Sequence, residues 1–409
     1  MGLEHYDIMS LEDLEEVYMG FIQRIFPYSY RWRSVSFSVP KCLHNFIGTH
    51  KFERLDALTT VRIAFQSRPD LPIARTRCPL VNVFSLSHSL HALHLDGAYL
   101  DLPIHWENLT EVTLSQSVGG EAVSPSKLLR LLTLSCTSLR RCAACITPNL
   151  RAITPDIDRP FKIVLPHLHT LDLDFNTPLC ISHSSTVELI SSQLAMIFDA
   201  IVAPVLTHLR VEFIGPQTMF HWSGRSPRTY ETLPIVSFVQ RSGCTIQRFK
   251  PHFPMAIDGL VDLLVAMPSL SEFAMNPICL DSTAKETPFV SFVHERLTPE
   301  LNPLLPHLET VYFTACSALH VESILAFAEG RCGREIETPR KLRKLTTSFK
   351  TFLEDMEVSA QLQKLRDRGL SVHWSSPKDT RGNLYDDDPL RGMVGRREMH
   401  KGLEDSHIY

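Results

Sequence analysis

The stretch LPHLHTLDLDF at residues 165–175 returns, in its opening letters, as LPHLETVYFTAC at 305–316. Behind both lies one frame: apolar, two spacers, apolar, one spacer, apolar. It recurs as Trp32-Val35-Phe37, Leu58-Val61-Ile63, Leu90-Leu93-Leu95, Leu109-Val112-Leu114, Leu168-Leu171-Leu173, Leu206-Leu209-Val211, Leu270-Phe273-Met275 and Leu308-Val311-Phe313. Degenerate copies start at Leu139, Ile246 and Leu342. In a chain that is 44% hydrophobic, one such triplet carries little weight. The prolines carry more. Pro166, Pro204, Pro268 and Pro306 each stand two residues before the first apolar position, where a missing N–H is tolerated at a strand start.

Between the predicted strands lie segments with helical spacing. The clearest is TVELISSQLAMIFDAIVA, with Val187, Ile190, Leu194, Ile197 and Ile201 on one face. Others are PSKLLRLLTL at 125–134, ETLPIVSFVQRSG at 231–243, DGLVDLLVAM at 258–267 and SALHVESILAFAEGR at 317–331. A short strand followed by a helix cannot bury its apolar side alone, whereas such units stacked side by side share one continuous core. The frame matches the leucine-rich repeat L-x-x-L-x-L-x-x-N/C-x-L. Asn176 and Cys316 fill its ninth position, while Ser117, Ala98 and Ile214 depart from it.

Spacings between first positions run 26, 32, 19, 59, 38, 64 and 38, longer and less even than the roughly 20–29 residues of regular repeats. The expectation is an α/β fold: an irregular leucine-rich-repeat solenoid over 31–375, with a parallel sheet on the concave face and helices on the convex face. The alternative is a doubly wound α/β enzyme, a hydrolase or nucleotide-binding protein. No Gly-rich turn follows any strand to hold a nucleotide at its switch point.

Residues 1–30 read as an N-terminal capping region. Ser10 and Asp13 resemble a capping box, and Leu11, Leu14, Tyr18, Phe21 and Ile25 follow on one helical face. At the other end, TFLEDMEVSAQLQKLRDRGLSVHW predicts a helix stopped by Gly369 and a last strand through Val372 to Trp374. Residues 376–409 are polar and charged and predict a disordered tail.

Lys+Arg 41 against Asp+Glu 45, a formal charge of −4, gives no basic stripe for nucleic acid and no polybasic segment for a membrane. The acidic N-terminus is unlike a signal peptide, and no apolar run approaches the ~20 residues of a membrane span. A monomeric cytoplasmic or nuclear protein is expected, with its ten cysteines as packing thiols.

His88, His91 and His94 stand three apart, but side chains alternate along a strand and the three cannot converge on one ion. Cys142 and Cys145 form a lone C-x-x-C without a second pair. Phosphate-binding, nucleophile-elbow and zinc-helix motifs are absent. No metal, cofactor or catalytic residue is expected, and a non-catalytic protein is.

Chemistry then falls to the spacer between the second and third frame positions and its neighbours two residues away, which face the concave sheet. Those residues are Ala92, His94 and Asp96; Glu111, Thr113 and Ser115; Thr170, Asp172 and Asp174; His208, Arg210 and Glu212; Glu272, Ala274 and Asn276; Thr310, Tyr312 and Thr314. The protein-binding candidates among them are His94, Asp96, Glu111, Thr113, Thr170, Asp172, Asp174, His208, Arg210, Glu212, Glu272, Asn276, Thr310 and Tyr312. An acidic run at Asp172, Asp174 and Glu212 suits a folded protein or a peptide with basic groups.

The phrases RWRSVSFSVP, LPHLHTLDLDF, APVLTHLRVEF, VSFVQRSGCTIQRFK, LLVAMPSLSEFAM and LLPHLETVYFTAC resemble the leucine-rich region of the F-box proteins of mushroom-forming fungi, over roughly residues 15–375. The resemblance implies a substrate-recognition role in a cullin-RING ubiquitin ligase, with the repeats holding the protein to be ubiquitinated. In that family an N-terminal F-box docks to a Skp adaptor. The first 30 residues contain no Leu-Pro-opened F-box, so the adaptor contact is expected only if an F-box lies upstream, and it maps to no residue of this sequence.

Overall fold

The computed structural model describes residues 11–40, 55–66, 87–96, 104–115, 123–147, 162–176, 184–214, 234–253, 255, 257–277, 288–297, 304–332, 341–349 and 356–375. Every one of the eleven frames opens or lies within a strand. These are β1 (Ser34–Pro40), β2 (Thr60–Gln66), β3 (Ala92–Asp96), β4 (Glu111–Ser115), β5 (Arg141–Ile146), β7 (Thr170–Asn176), β9 (His208–Ile214), β10 (Arg248–His252), β11 (Glu272–Met275), β12 (Thr310–Cys316) and β13 (Lys344–Phe349). The last predicted strand is β14 (Ser371–Ser375). All twelve join one sheet, parallel throughout.

Strand order in this sheet follows the chain without reversal. A doubly wound sheet reverses its strand order at the crevice where it binds ligands; the order among the described residues has no such point. A separate pair, β6 (Ile163–Val164) and β8 (Ile201–Val202), precedes two neighbouring units of the main sheet. It links IVLPHL to IVAPVL, the same phrase written 38 residues apart.

The prolines act in a turn. Leu168, Leu206, Leu270 and Leu308 each donate their N–H to the carbonyl three residues earlier, at Leu165, Ala203, Met267 and Leu305. Proline therefore occupies the second position of a four-residue turn, where its fixed φ suits the backbone. The strand starts four residues after the proline rather than beside it. From each turn the chain enters a ladder that runs the length of the sheet. The carbonyl of the residue before one strand accepts both the N–H before the next strand and the N–H opening it. Arg33, Thr59, His91, Thr110, Arg140, His169, Thr207, Gln247, Ser271 and Glu309 each do so in turn.

Eight α-helices are found among the described residues: α1 (Leu11–Ile25), α2 (Pro125–Leu134), α3 (Ser184–Ala200), α4 (Pro234–Ser242), α5 (Ile257–Val265), α6 (Pro288–Phe292), α7 (Val321–Cys332) and α8 (Met356–Asp367). Their starts and stops follow local chemistry. Ser124 Oγ caps α2 by accepting from the Lys127 N–H, with Pro125 in the first turn. Gly243 and Gly369 take left-handed φ of 60° and 87° just past α4 and α8, a conformation that costs glycine little. Successive helices pack on one another in chain order from α2 to α6, and α7 packs on α8.

One apolar core joins the frame to the helices. Frame residues from Leu58 to Leu345 are buried, Leu168, Leu171 and Leu173 completely, together with Leu128, Leu132, Ile197, Phe238, Leu263 and Phe327 from the helices. Each leucine withdrawn from water contributes about 2 kcal/mol. The first frame differs: Trp32, Val35 and Phe37 are only partly buried, because β1 is an edge strand with one neighbour. In α1 the inward side is carried by Tyr18, Ile22 and Ile25, with Phe26 beyond them, whereas Phe21 is 60% exposed. The apolar face is thus turned by one residue from the predicted one. Ser10, the side chains of Leu11 and Leu14, and the predicted tail at 376–409 lie outside the described residues. No helix among the described residues is long and apolar enough to cross a membrane.

Candidate functional site

With the frame turned to the helices, the spacer residues stand on the opposite face of the sheet and line up across strands. Register places Ala143, Asp172, Arg210 and Lys250 in one row. A second row, toward the strand ends, holds Cys145, Asp174, Glu212 and His252. A third, at the strand starts, runs Glu111, Arg141, Thr170, His208, Arg248, Glu272, Thr310, Lys344 and Ser371.

The centre of this face is an ion-pair network. Arg210 Nη2 lies 3.1 Å from Asp174 Oδ1. Its guanidinium also donates to Glu212, through Nε at 3.1 Å and through Nη2. His252 Nδ1 lies 3.4 Å from the second oxygen of Glu212. Burial makes these charges interdependent. It opposes ionisation of Glu212, but the His252 hydrogen bond and Arg210 hold that carboxyl well below its usual range. Burial also opposes the charge on Arg210, which Asp174 and Glu212 restore and reinforce. Asp172 goes the other way: burial pushes its carboxyl up to about 6, against the pull of Arg210 and Arg141.

This overturns the expectation that Asp172, Asp174 and Glu212 form an acidic run offered to a basic partner. Asp172 and Asp174 are buried, and Asp174 and Glu212 are engaged from within by Arg210, with His252 on Glu212 as well. An unpaired carboxylate in that position would carry several kcal/mol of uncompensated desolvation.

The other candidates divide by exposure. Thr113, Arg210, Glu272, Asn276 and Tyr312 are buried, while His94, Glu111, Thr170, His208 and Thr310 are partly exposed. Asp96 pairs in register with Ser115, but its side chain lies outside the described residues. Glu272 binds Arg248 at 3.0 Å, Glu111 lies 3.7 Å from Arg141, and Lys344 Nζ sits 5.4 Å over the Tyr312 ring. His208 Nδ1 is 2.7 Å from Thr207 Oγ1.

Arg141, Arg248, Lys250 and His252 belong to the same face and are absent from the predicted set. They sit in the units opened by Leu139 and Ile246, whose frames are degenerate. Counting two, four and six residues from those first positions yields all four.

The histidine triplet does not converge. His88 Nδ1 meets His105 Nε2 at 3.0 Å, His91 Nδ1 lies 3.4 Å from the Asn108 carbonyl, and His94 stands on the sheet face beside Glu111 and Arg62. No group of three or more metal-ligating side chains forms among the described residues. Cys142 fills a frame position in the core, where burial pushes its thiol up to about 12; such a thiol packs rather than reacts.

No protein-family model matches the chain, and no curated protein matches it in sequence.

Proposed function

We propose that the chain is an irregular leucine-rich-repeat solenoid serving as a non-catalytic protein-recognition scaffold. In this reading the sheet face opposite the helices is the concave recognition surface. The supporting observation is the strand order: twelve parallel strands in chain order, with the apolar frame turned to the helices and polar rows on the other side. Repetition of this kind extends a surface sideways instead of closing a pocket, which is the geometry that holds a protein rather than a small substrate. That this receptor is the substrate-recognition part of an F-box-type ubiquitin ligase rests on the phrase-level resemblance of its repeats.

Affinity purification of the full chain tests both parts. The scaffold reading expects a set of co-purifying proteins that is lost when His208 and Thr310 are changed to glutamate and kept when Val265, 62% exposed on α5, is changed the same way. Identical capture by all three forms contradicts it. Recovery of a Skp adaptor supports the ubiquitin-ligase role. Because the adaptor contact maps to no residue of this sequence, only its absence from an upstream-extended form that retains the other proteins removes the role and leaves the scaffold.

A further inference from the structure

The sheet face is layered by depth between β5 and β10. Asp172 and Asp174 are buried, whereas the side chains of Arg141 and Arg248 keep 33% and 41% of their surface and His208 is half-buried. Arg140 and His169, one residue ahead of β5 and β7, are exposed. At the strand starts a partner approaching here meets bases, while Asp172 and Asp174 lie buried beneath together with Arg210 and Lys250.

Register fixes the geometry of these bases. Arg141, Thr170, His208 and Arg248 are consecutive in the strand-start row. With neighbouring strands about 4.8 Å apart, the two arginines are based about 14 Å from each other. In an extended peptide, residues four apart are separated by about 13 Å. Each arginine touches one acid, Glu111 at 3.7 Å for Arg141 and Glu272 at 3.0 Å for Arg248. A guanidinium carries five N–H donors, so a second carboxylate can be held beside the first. His208 reports the local field: burial first, then Arg248 and Arg141, disfavour its positive form, against a hydrogen bond to the His169 backbone.

We propose that the row Arg141–Thr170–His208–Arg248 binds an acidic segment of the protein partner, with carboxylates four residues apart seated on the two guanidiniums. The inference rests on the reading of this face as the recognition surface. It reverses the polarity that the acidic residues of β7 and β9 suggest by themselves. Two guanidiniums without a longer basic stripe along the sequence suit a short acidic segment better than a nucleic acid.

Hexaglutamate added to the full chain tests the proposal by nuclear magnetic resonance of the arginine Nε–H and histidine ring signals. The expected result is saturable binding that shifts Arg141, His208 and Arg248, with hexaglutamine and hexalysine inactive. Arg141→Gln combined with Arg248→Gln weakens it at least tenfold, while Arg343→Gln, outside the row and 76% exposed, leaves it unchanged. Arg248→Gln alone, weakening it threefold or more, serves if the double variant fails to fold. Equal binding of hexalysine, tighter binding of a six-nucleotide oligothymidylate, or hexaglutamate binding unaffected by these changes overturns the proposal. If hexaglutamate does not bind but the chain still captures proteins through this face, the acidic segment is wrong and the scaffold stands. If both are lost, the scaffold reading falls as well.

Discussion

Arg210 is the residue on which the polar face depends. It lies between Asp174 and Glu212 with almost no exposed surface. Arg210→Ala removes the guanidinium that Asp174 and Glu212 share in the buried network, and chemical denaturation should record a loss of about 3–5 kcal/mol. Arg248→Ala removes a far more exposed partner of Glu272 and should cost less than about 1 kcal/mol. Equal costs would mean that burial does not set the worth of these pairs. His320 offers a test by pH. Burial brings its imidazole down to about 4 from an ordinary 6.5, against the Phe289 ring. As pH falls from 6.5 toward 4 the unfolded chain takes up a proton that the folded one refuses, so stability should drop across that window and level off below it. His320 Nδ1 also accepts from the Ser317 N–H. Gln at this position can do the same, so His320→Gln should flatten the pH dependence while keeping the helix start.

At the scale of the element, strands and helices were legible because each is written in its own period, two for the frame and its spacers and 3.6 for the segments between. The helix over 125–134 follows the predicted bounds, and Gly369 ends α8 as its freedom at positive φ requires. Less legible were relations between elements. Asp174 and Arg210 become partners only once β7 and β9 are neighbours, and the acids of one strand look like an offered charge until the next strand is laid beside them. The information was present in the repeat: aligning LPHLHTLDLDF with APVLTHLRVEF sets Asp172 opposite Arg210. In α1 an exposed Phe21 and a buried Ile22 are equally apolar in sequence, so composition alone does not separate the inward residue from its neighbour. Thr347 departs from the frame as its third residue, fully buried, with a hydroxyl that has no hydrogen-bond partner among the described residues. Thr347→Val keeps the shape and removes the unpaired group, and should raise unfolding stability by about 1 kcal/mol. Leu171→Ala, by contrast, opens a cavity in the centre of the core and should cost about 2–5 kcal/mol.

Over the whole molecule, one rule repeated eleven times separates residues that build from residues able to bind. Apolar frame positions commit one face of the sheet to the helices, and the backbone ladder keeps the other face in register from β1 to β14. The proposed function depends on that second face being where a protein is held. Photo-crosslinking addresses it directly: a photoreactive amino acid is placed at His208 or Thr310 on the sheet face, or at Val265 on the outside of α5, in the full chain within cells. The account predicts discrete protein adducts from the two sheet positions and none of the same adducts from Val265. Adducts formed from Val265 alone, or equally from all three positions, would contradict it.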